Sequence, residues 1–117
     1  MPAAQPTIFE RIVAREIPAD VVFEDDRIIA FRDIAPKAPL HVLVVPKTAQ
    51  YANVAQLAAG DPALLADIVA TADRLAREQS NGEYRLVFNS GPSAGQTVFH
   101  VHAHVLSGNL DESSLAD

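Results

Sequence analysis

The stretch FHVHAHVL, Phe99 to Leu106, sets three histidines at every second position of an apolar run, in a chain with only four histidines. Residues two apart share a face of a strand. The spacing therefore predicts a strand with His100, His102 and His104 on one face, and Phe99, Val101, Ala103 and Val105 on the other, packed against a helix. A merely solvated face would carry Thr, Lys, Glu and Ser. Imidazole titrates near neutrality and serves as nucleophile, acid, base or ligand, so three in register mark a candidate functional site.

Outward from that run, the preceding SGPSAGQT is a small-residue loop without periodicity and YRLVFN, Tyr84 to Asn89, reads as a strand. Before it lies the clearest helix. Asp61 is its N-cap and Pro62 its first residue; Leu64, Leu65, Ile68, Val69, Ala72, Leu75 and Ala76 form its core stripe, and Asn81-Gly82 stops it. HVLVVP, opening at His41, is nearly all apolar and valine-rich, which predicts a central strand buried on both faces. DIAPKAPL is a loop, because Pro36 and Pro39 lack a donor and push their predecessors to extended conformations. VVFEDDRIIAF reads as a hairpin of strands near 21–24 and 28–33 turning at Asp25-Asp26. Thr7-Ile8-Phe9-Glu10 has the spacing of a capping box, for a short helix to about Arg15.

With 117 residues, 49% hydrophobic and 21% charged, the chain is the size and composition of one globular domain. It has no cysteine, which removes disulfides, thiolate metal sites and a cysteine nucleophile. No basic leader or long apolar segment is seen, so neither export nor a membrane is expected and a cytoplasmic location is the default. A net charge of −6 with scattered cations argues against nucleic acid as partner. One small anion remains possible, since a few backbone N–H groups can hold a phosphate whatever the net charge.

Two readings of the histidines compete. Three imidazoles with water in the fourth position make an open zinc site; against it, no Asp or Glu lies between Tyr84 and Asn109 to orient the rings, unless the fold brings one from elsewhere. In the phosphoryl reading, one neutral histidine attacks phosphorus while its neighbours set its tautomer and handle the leaving group's proton. The loop upstream, with Gly95, Gln96 and Thr97, would then offer backbone donors to the phosphate oxygens. Taken alone, that loop is an ordinary surface turn; its adjacency to the histidines gives it another meaning.

The run His100-Val-His102-Ala-His104-Val-Leu resembles the signature of the histidine triad superfamily, three histidines alternating with apolar residues. TIFERIVAREIPADVVFEDDRIIAFRDIAPKAPLHVLVVPK, Asn89 and GQTVFHVHAHVL are similar to its Hint branch, the purine nucleoside phosphoramidases, over about Thr7 to Gly108. The resemblance implies an α+β fold, a five-stranded antiparallel sheet with two main helices, and a homodimer with a continuous ten-stranded sheet. It implies a core of about residues 7–108 followed by an acidic tail, 109–117.

By the same resemblance, His102 is the nucleophile that forms a nucleotidyl-histidine later hydrolysed by water. His100 and His104 flank it, and His41 supports it from the neighbouring strand. Asn89, Gly95, Gln96 and Thr97 match the phosphate-loop and leaving-group positions, with Thr97 where the family commonly has Ser. Asp33 matches the ribose-binding acid. Ile8, Phe9, Ile12, Phe31 and Ile34 match an apolar purine slot, although pattern alone makes those five ordinary core. The implied substrate is an AMP-like purine nucleotide, with no metal or other cofactor. Such chemistry calls for a neutral nucleophile beside a protonated neighbour, and so for activity near neutral pH. Alternatives are dinucleoside polyphosphate hydrolysis, as in the fragile histidine triad branch, and a nucleotide-binding or scaffold dimer with residual hydrolysis. The tail NLDESSLAD departs from the aromatic or basic tails of many Hint proteins, which would disfavour an acidic leaving group.

Overall fold

The computed structural model describes residues 5–111, so most of the expected acidic tail, residues 112–117, lies outside the described residues. Helix α1 (Ile8–Val13) starts where Thr7 accepts the Glu10 N–H and Glu10 returns a bond to the Thr7 N–H, the expected capping box. It is shorter than expected: Ala14 caps it and Arg15 takes a left-handed φ of 62°. Strands β1 (Val21–Glu24) and β2 (Ile28–Arg32) form the expected hairpin, turned by Asp25, whose carboxylate accepts the Arg27 and Ile28 N–H groups. Strand β3 (Leu40–Pro46) is buried along its whole length.

Helix α2 (Val54–Gly60), which the sequence reading passed over, is capped by Asn53, and α3 (Pro62–Gln79) by Asp61 with Pro62 in its first turn. Leu64, Ile68, Ala72, Leu75 and Ala76 are buried as expected, but Val69 is 38% exposed and Thr71 takes a core position, its hydroxyl donating to the Asp67 carbonyl.

Strands β4 (Arg85–Val87) and β5 (Ala103–Ser107) complete a five-stranded sheet of order β1-β2-β3-β5-β4, every adjacent pair antiparallel. Both strands are shorter than expected. The β3–β5 ladder ends at Val44 opposite Ala103, because beyond it Pro46 has no N–H and its carbonyl accepts the His100 ring, while the Val101 N–H turns to the Tyr51 carbonyl. Only His104 of the three therefore sits in a strand. Phe99, expected on the core face, is half exposed instead.

Register assigns the two faces. Ala30, Val44 and Ala103 lie abreast, as do Val42, Val105 and Leu86, and this face packs under α2 and α3 with Leu57, Leu64, Ile68 and Leu75. Burying each such large side chain stabilises by about 2 kcal/mol. On the opposite face Phe31, Leu43, His104 and Val87 lie abreast. There α1 covers β2 and β3, Phe9 and Ile12 packing on Ile29, Phe31, Leu43 and Val45. Among the described residues, the area over β4, β5 and the His41 end of β3 is an open cleft.

Candidate active site

The histidines meet at the boundary between the helix-covered part of that face and the cleft. Their hydrogen bonds fix their tautomers, because a carbonyl only accepts and a backbone N–H only donates. His102 Nδ1 lies 2.9 Å from the His100 carbonyl, so Nδ1 carries the proton and Nε2 keeps its lone pair. His100 Nε2 donates to the Pro46 carbonyl at 2.7 Å, which leaves its Nδ1 to accept the Thr7 hydroxyl at 3.2 Å. His41 Nδ1 accepts the Lys37 N–H at 3.0 Å. Its Nε2 therefore bears hydrogen and donates to His104 Nδ1 at 3.0 Å. In neutral His104 the remaining nitrogen, Nε2, carries the N–H.

The rings are also in contact. His102 and His104 centroids are 5.1 Å apart, His41 and His104 5.2 Å, and Phe9 stands edge-on to His102 at 4.8 Å and to His100 at 5.8 Å. His100 is fully buried and His41 and His102 nearly so, while His104 is half-buried and lines the cleft. Burial pushes all four histidines below their ordinary value, since the low-dielectric surroundings disfavour charge. His104 falls to about 4, driven first by burial and then by repulsion from His102 and His41, with Asp33 opposing. The expected protonated neighbour is thus not present in the free site at neutral pH. A bound anion would have to raise it.

Asp33 is the carboxylate that the histidine run itself does not carry. Its Oδ2 lies 3.5 Å from His41 Nε2, and its Oδ1 accepts the Ala35 N–H at 2.8 Å. Among the described residues, Asp33, His41 and His104 form a set whose donor atoms come within 4.8 Å of one another, as a metal ion requires. His41 Nε2 and His104 Nδ1 already bond to each other, so a metal held by that pair of atoms would have to displace the His41 Nε2 proton.

The glycine-rich loop differs from expectation. Pro92–Ala94 make a 3₁₀ turn, and the N–H groups of Ala94, Gly95 and Gln96 point back to the Gly91 and Pro92 carbonyls. They are not free for a phosphate. Gln96 is buried, its Oε1 accepting the Gly91 N–H and its Nε2 donating to the Ala52 and Val98 carbonyls at 2.6 and 3.0 Å. It braces the loop and offers nothing outward. Gly95 takes a left-handed φ of 93° that suits glycine, beside the Asn89 amide. Thr97 is exposed, and among the described residues neither its N–H nor its hydroxyl has a partner.

The cleft has a volume of about 380 Å³ and is lined by Asp33, Lys37, His41, Arg85, Asn89 and His104 among others. Of the five apolar positions, Phe9, Ile12 and Phe31 are core, as pattern alone held; Ile8 is 46% and Ile34 99% exposed. Sequence reasoning missed Thr7 as a partner of His100 and the Lys37 N–H and Pro46 carbonyl as tautomer-setting groups. The Thr7 and Pro46 contacts with His100 span 93 and 54 positions and have no local signal, whereas Lys37 lies only four residues before His41 in a loop without periodicity.

A family model described as the HIT domain matches residues 14–110. An uncharacterized HIT-like protein of Synechococcus elongatus is 48% identical over 106 residues, covering 90% of this chain and 92% of that one. The purine nucleoside phosphoramidase of Escherichia coli is 39% identical over 107 residues, covering 90% and 89%. A HIT family hydrolase from Legionella pneumophila, known as a crystal structure, superposes with a TM-score of 0.86 at 42% identity, covering 96% of this chain and 100% of that one. The five-stranded antiparallel sheet, the triad in its sequence signature and these likenesses agree, and the chain belongs to the HIT family, with hydrolases among its relatives.

Proposed function

We propose that this protein hydrolyses the P–N bond of purine nucleoside 5′-phosphoramidates through a nucleotide covalently held on His102. The observation that carries the proposal is the His102 tautomer: with Nδ1–H held by the His100 carbonyl, Nε2 presents its lone pair. Attack forms an Nε2–P bond and breaks the P–N bond, and the leaving nitrogen takes a proton from His104 Nε2. The phosphorylated ring keeps its Nδ1–H against a carbonyl, which stabilises its positive charge and makes it a good leaving group for water in the second step.

In this reading His100 and His41 set the tautomers of their neighbours. Asn89 and Thr97 contact the phosphate, Gly95 turns the chain beside Asn89, and Gln96 shapes their loop. Asp33 takes the ribose, and Ile8, Phe9, Ile12, Phe31 and Ile34 border the base, the exposed Ile8 and Ile34 closing over it. The domain core is residues 7–108, and β4, an edge of the sheet, pairs with its copy in a homodimer with a ten-stranded sheet. No helix among the described residues is long and apolar enough to cross a membrane, and a cytoplasmic location belongs to the proposal.

The test is hydrolysis of adenosine 5′-phosphoramidate by chelator-treated protein, beside a dinucleoside polyphosphate and beside His102→Ala. Metal-independent turnover of the phosphoramidate, lost in His102→Ala, is expected. Turnover of the polyphosphate alone would assign the alternative hydrolase, and tight AMP binding without turnover a sensor or scaffold.

A further inference from the structure

The hydrogen-bond chain contains a conflict that, among the described residues, Asp33 is placed to relieve. In the neutral site His41 Nε2–H donates to His104 Nδ1 at 3.0 Å. If His104 takes a second proton, at Nδ1, two N–H groups face each other across that distance. His41 cannot yield by moving its proton to Nδ1, because that nitrogen accepts the Lys37 N–H. Among the described residues, the one other acceptor beside His41 Nε2 is Asp33 Oδ2, at 3.5 Å. The Asp33 carboxylate is fixed by the Ala35 N–H, and its own N–H donates to the His41 carbonyl, so it cannot drift from the ring.

We propose that Asp33 is a positioning residue of the triad: its carboxylate is the second acceptor for His41 Nε2–H, and the swing of that bond from His104 to Asp33 lets His104 hold two protons. The inference rests on the phosphoramidase reading for its catalytic use. His104 gains one proton at Nδ1 from solvent when an anionic substrate binds; its Nε2 proton passes to the leaving nitrogen; the vacated Nε2 lone pair then takes a proton from the water that attacks phosphorus. One proton leaves and one returns, and His41 stays turned to Asp33 throughout. Asp33 favours the charged forms of His41, His102 and His104 alike. Among the described residues, the other charged groups at the cleft are Lys37, which opposes a proton on His41, and Arg85, while Glu10 faces His100.

A carboxylate that only holds the ribose predicts something different. Adenosine 5′-phosphoramidate and its 2′,3′-dideoxy analogue are compared in wild type, Asp33→Asn and Asp33→Glu, with imidazole titrations by NMR on the free proteins. The swing requires that Asp33→Asn lower kcat about tenfold at pH 7 even on the dideoxy substrate, the equivalent of one unit of lost proton affinity. The alkaline limb of the pH profile should move to lower pH, and Asp33→Glu should recover part of the loss. Normal kcat of Asp33→Asn on the dideoxy substrate, with a defect confined to the ribose form, overturns the proposal. Should neither substrate turn over, the phosphoramidase reading fails on its own and the titrations decide this one. The midpoints of His41 and His104 must fall in Asp33→Asn, and unchanged midpoints refute the swing. Should Asp33→Asn not fold, the Asp33 carboxylate resonance of the wild type must shift in step with His104, and its indifference to that titration is equally fatal.

Discussion

Four histidines held neutral make the fold sensitive to acid in a range where most proteins are not. A group whose folded value lies below its unfolded one contributes stability that is complete above the unfolded value, near 6.5 for histidine. That stability is lost progressively as pH falls, because the unfolded chain binds the proton first. For His104, depressed from 6.5 to about 4, linkage gives a loss of about 2 kcal/mol at pH 5 relative to pH 7.5. The carboxylates below their ordinary range, Glu24 beside Lys47 and Asp25 on the Arg27 N–H, contribute their loss only near and below pH 4.5, so pH 5 isolates the histidines. His104→Gln removes the titration while its amide oxygen can accept His41 Nε2–H. Urea denaturation at fixed protein concentration should show the wild type losing at least about 2 kcal/mol from pH 7.5 to pH 5, and the variant losing about 2 kcal/mol less. Equal losses in the two proteins, or a wild type indifferent to pH over this range, would refute the reasoning.

Other expectations follow from single contacts. Thr7→Val removes both the α1 cap and the hydroxyl on His100; it should cost about 1–2 kcal/mol in urea, with Thr7→Ser restoring nearly all of it. Gln96→Leu strands the Gly91 N–H and the Ala52 and Val98 carbonyls, and a loss of about 2–3 kcal/mol is expected. Hydrogen exchange of the 91–97 amides should rise in that variant, and unchanged protection would contradict the bracing role. Leu57→Ala, at a fully buried position under the sheet, should lose about 3 kcal/mol, read as a shift of the urea midpoint at constant slope.

Much of this architecture was legible in the sequence because its signals are local. Thr7 with Glu10, Asp61 with Pro62 and the nearly all-apolar HVLVVP each determine an element within a few residues, and all three appear where the spacing puts them. The histidine run was half legible. Its alternation predicts a strand, but the ladder stops at Ala103 because Pro46, far away in sequence, cannot pair and takes the His100 ring instead. Helix α2 was missed because VAQLAAG has a single core residue, Leu57, and so no periodicity. The glycine-rich loop was legible only in part: its small residues suggest exposed donors, whereas the 3₁₀ turn and the Gln96 side chain draw the 94–96 donors and the Gly91 N–H inward. Charge states were the least legible, since neutrality of the triad comes from burial by α1 and the sheet, which no spacing reveals.

The central claim is that His102 Nε2 is the nucleophile. Its most direct test is rapid quenching of the protein with adenosine 5′-phosphoramidate, followed by peptide mapping in the mass spectrometer under conditions that preserve P–N bonds. The account predicts an adenylyl group on the peptide containing His102, absent from His102→Ala and formed at least as fast as AMP is released. AMP released at full rate with His102 unmodified at every time, or the adenylyl group found on His100 or His104, would contradict it.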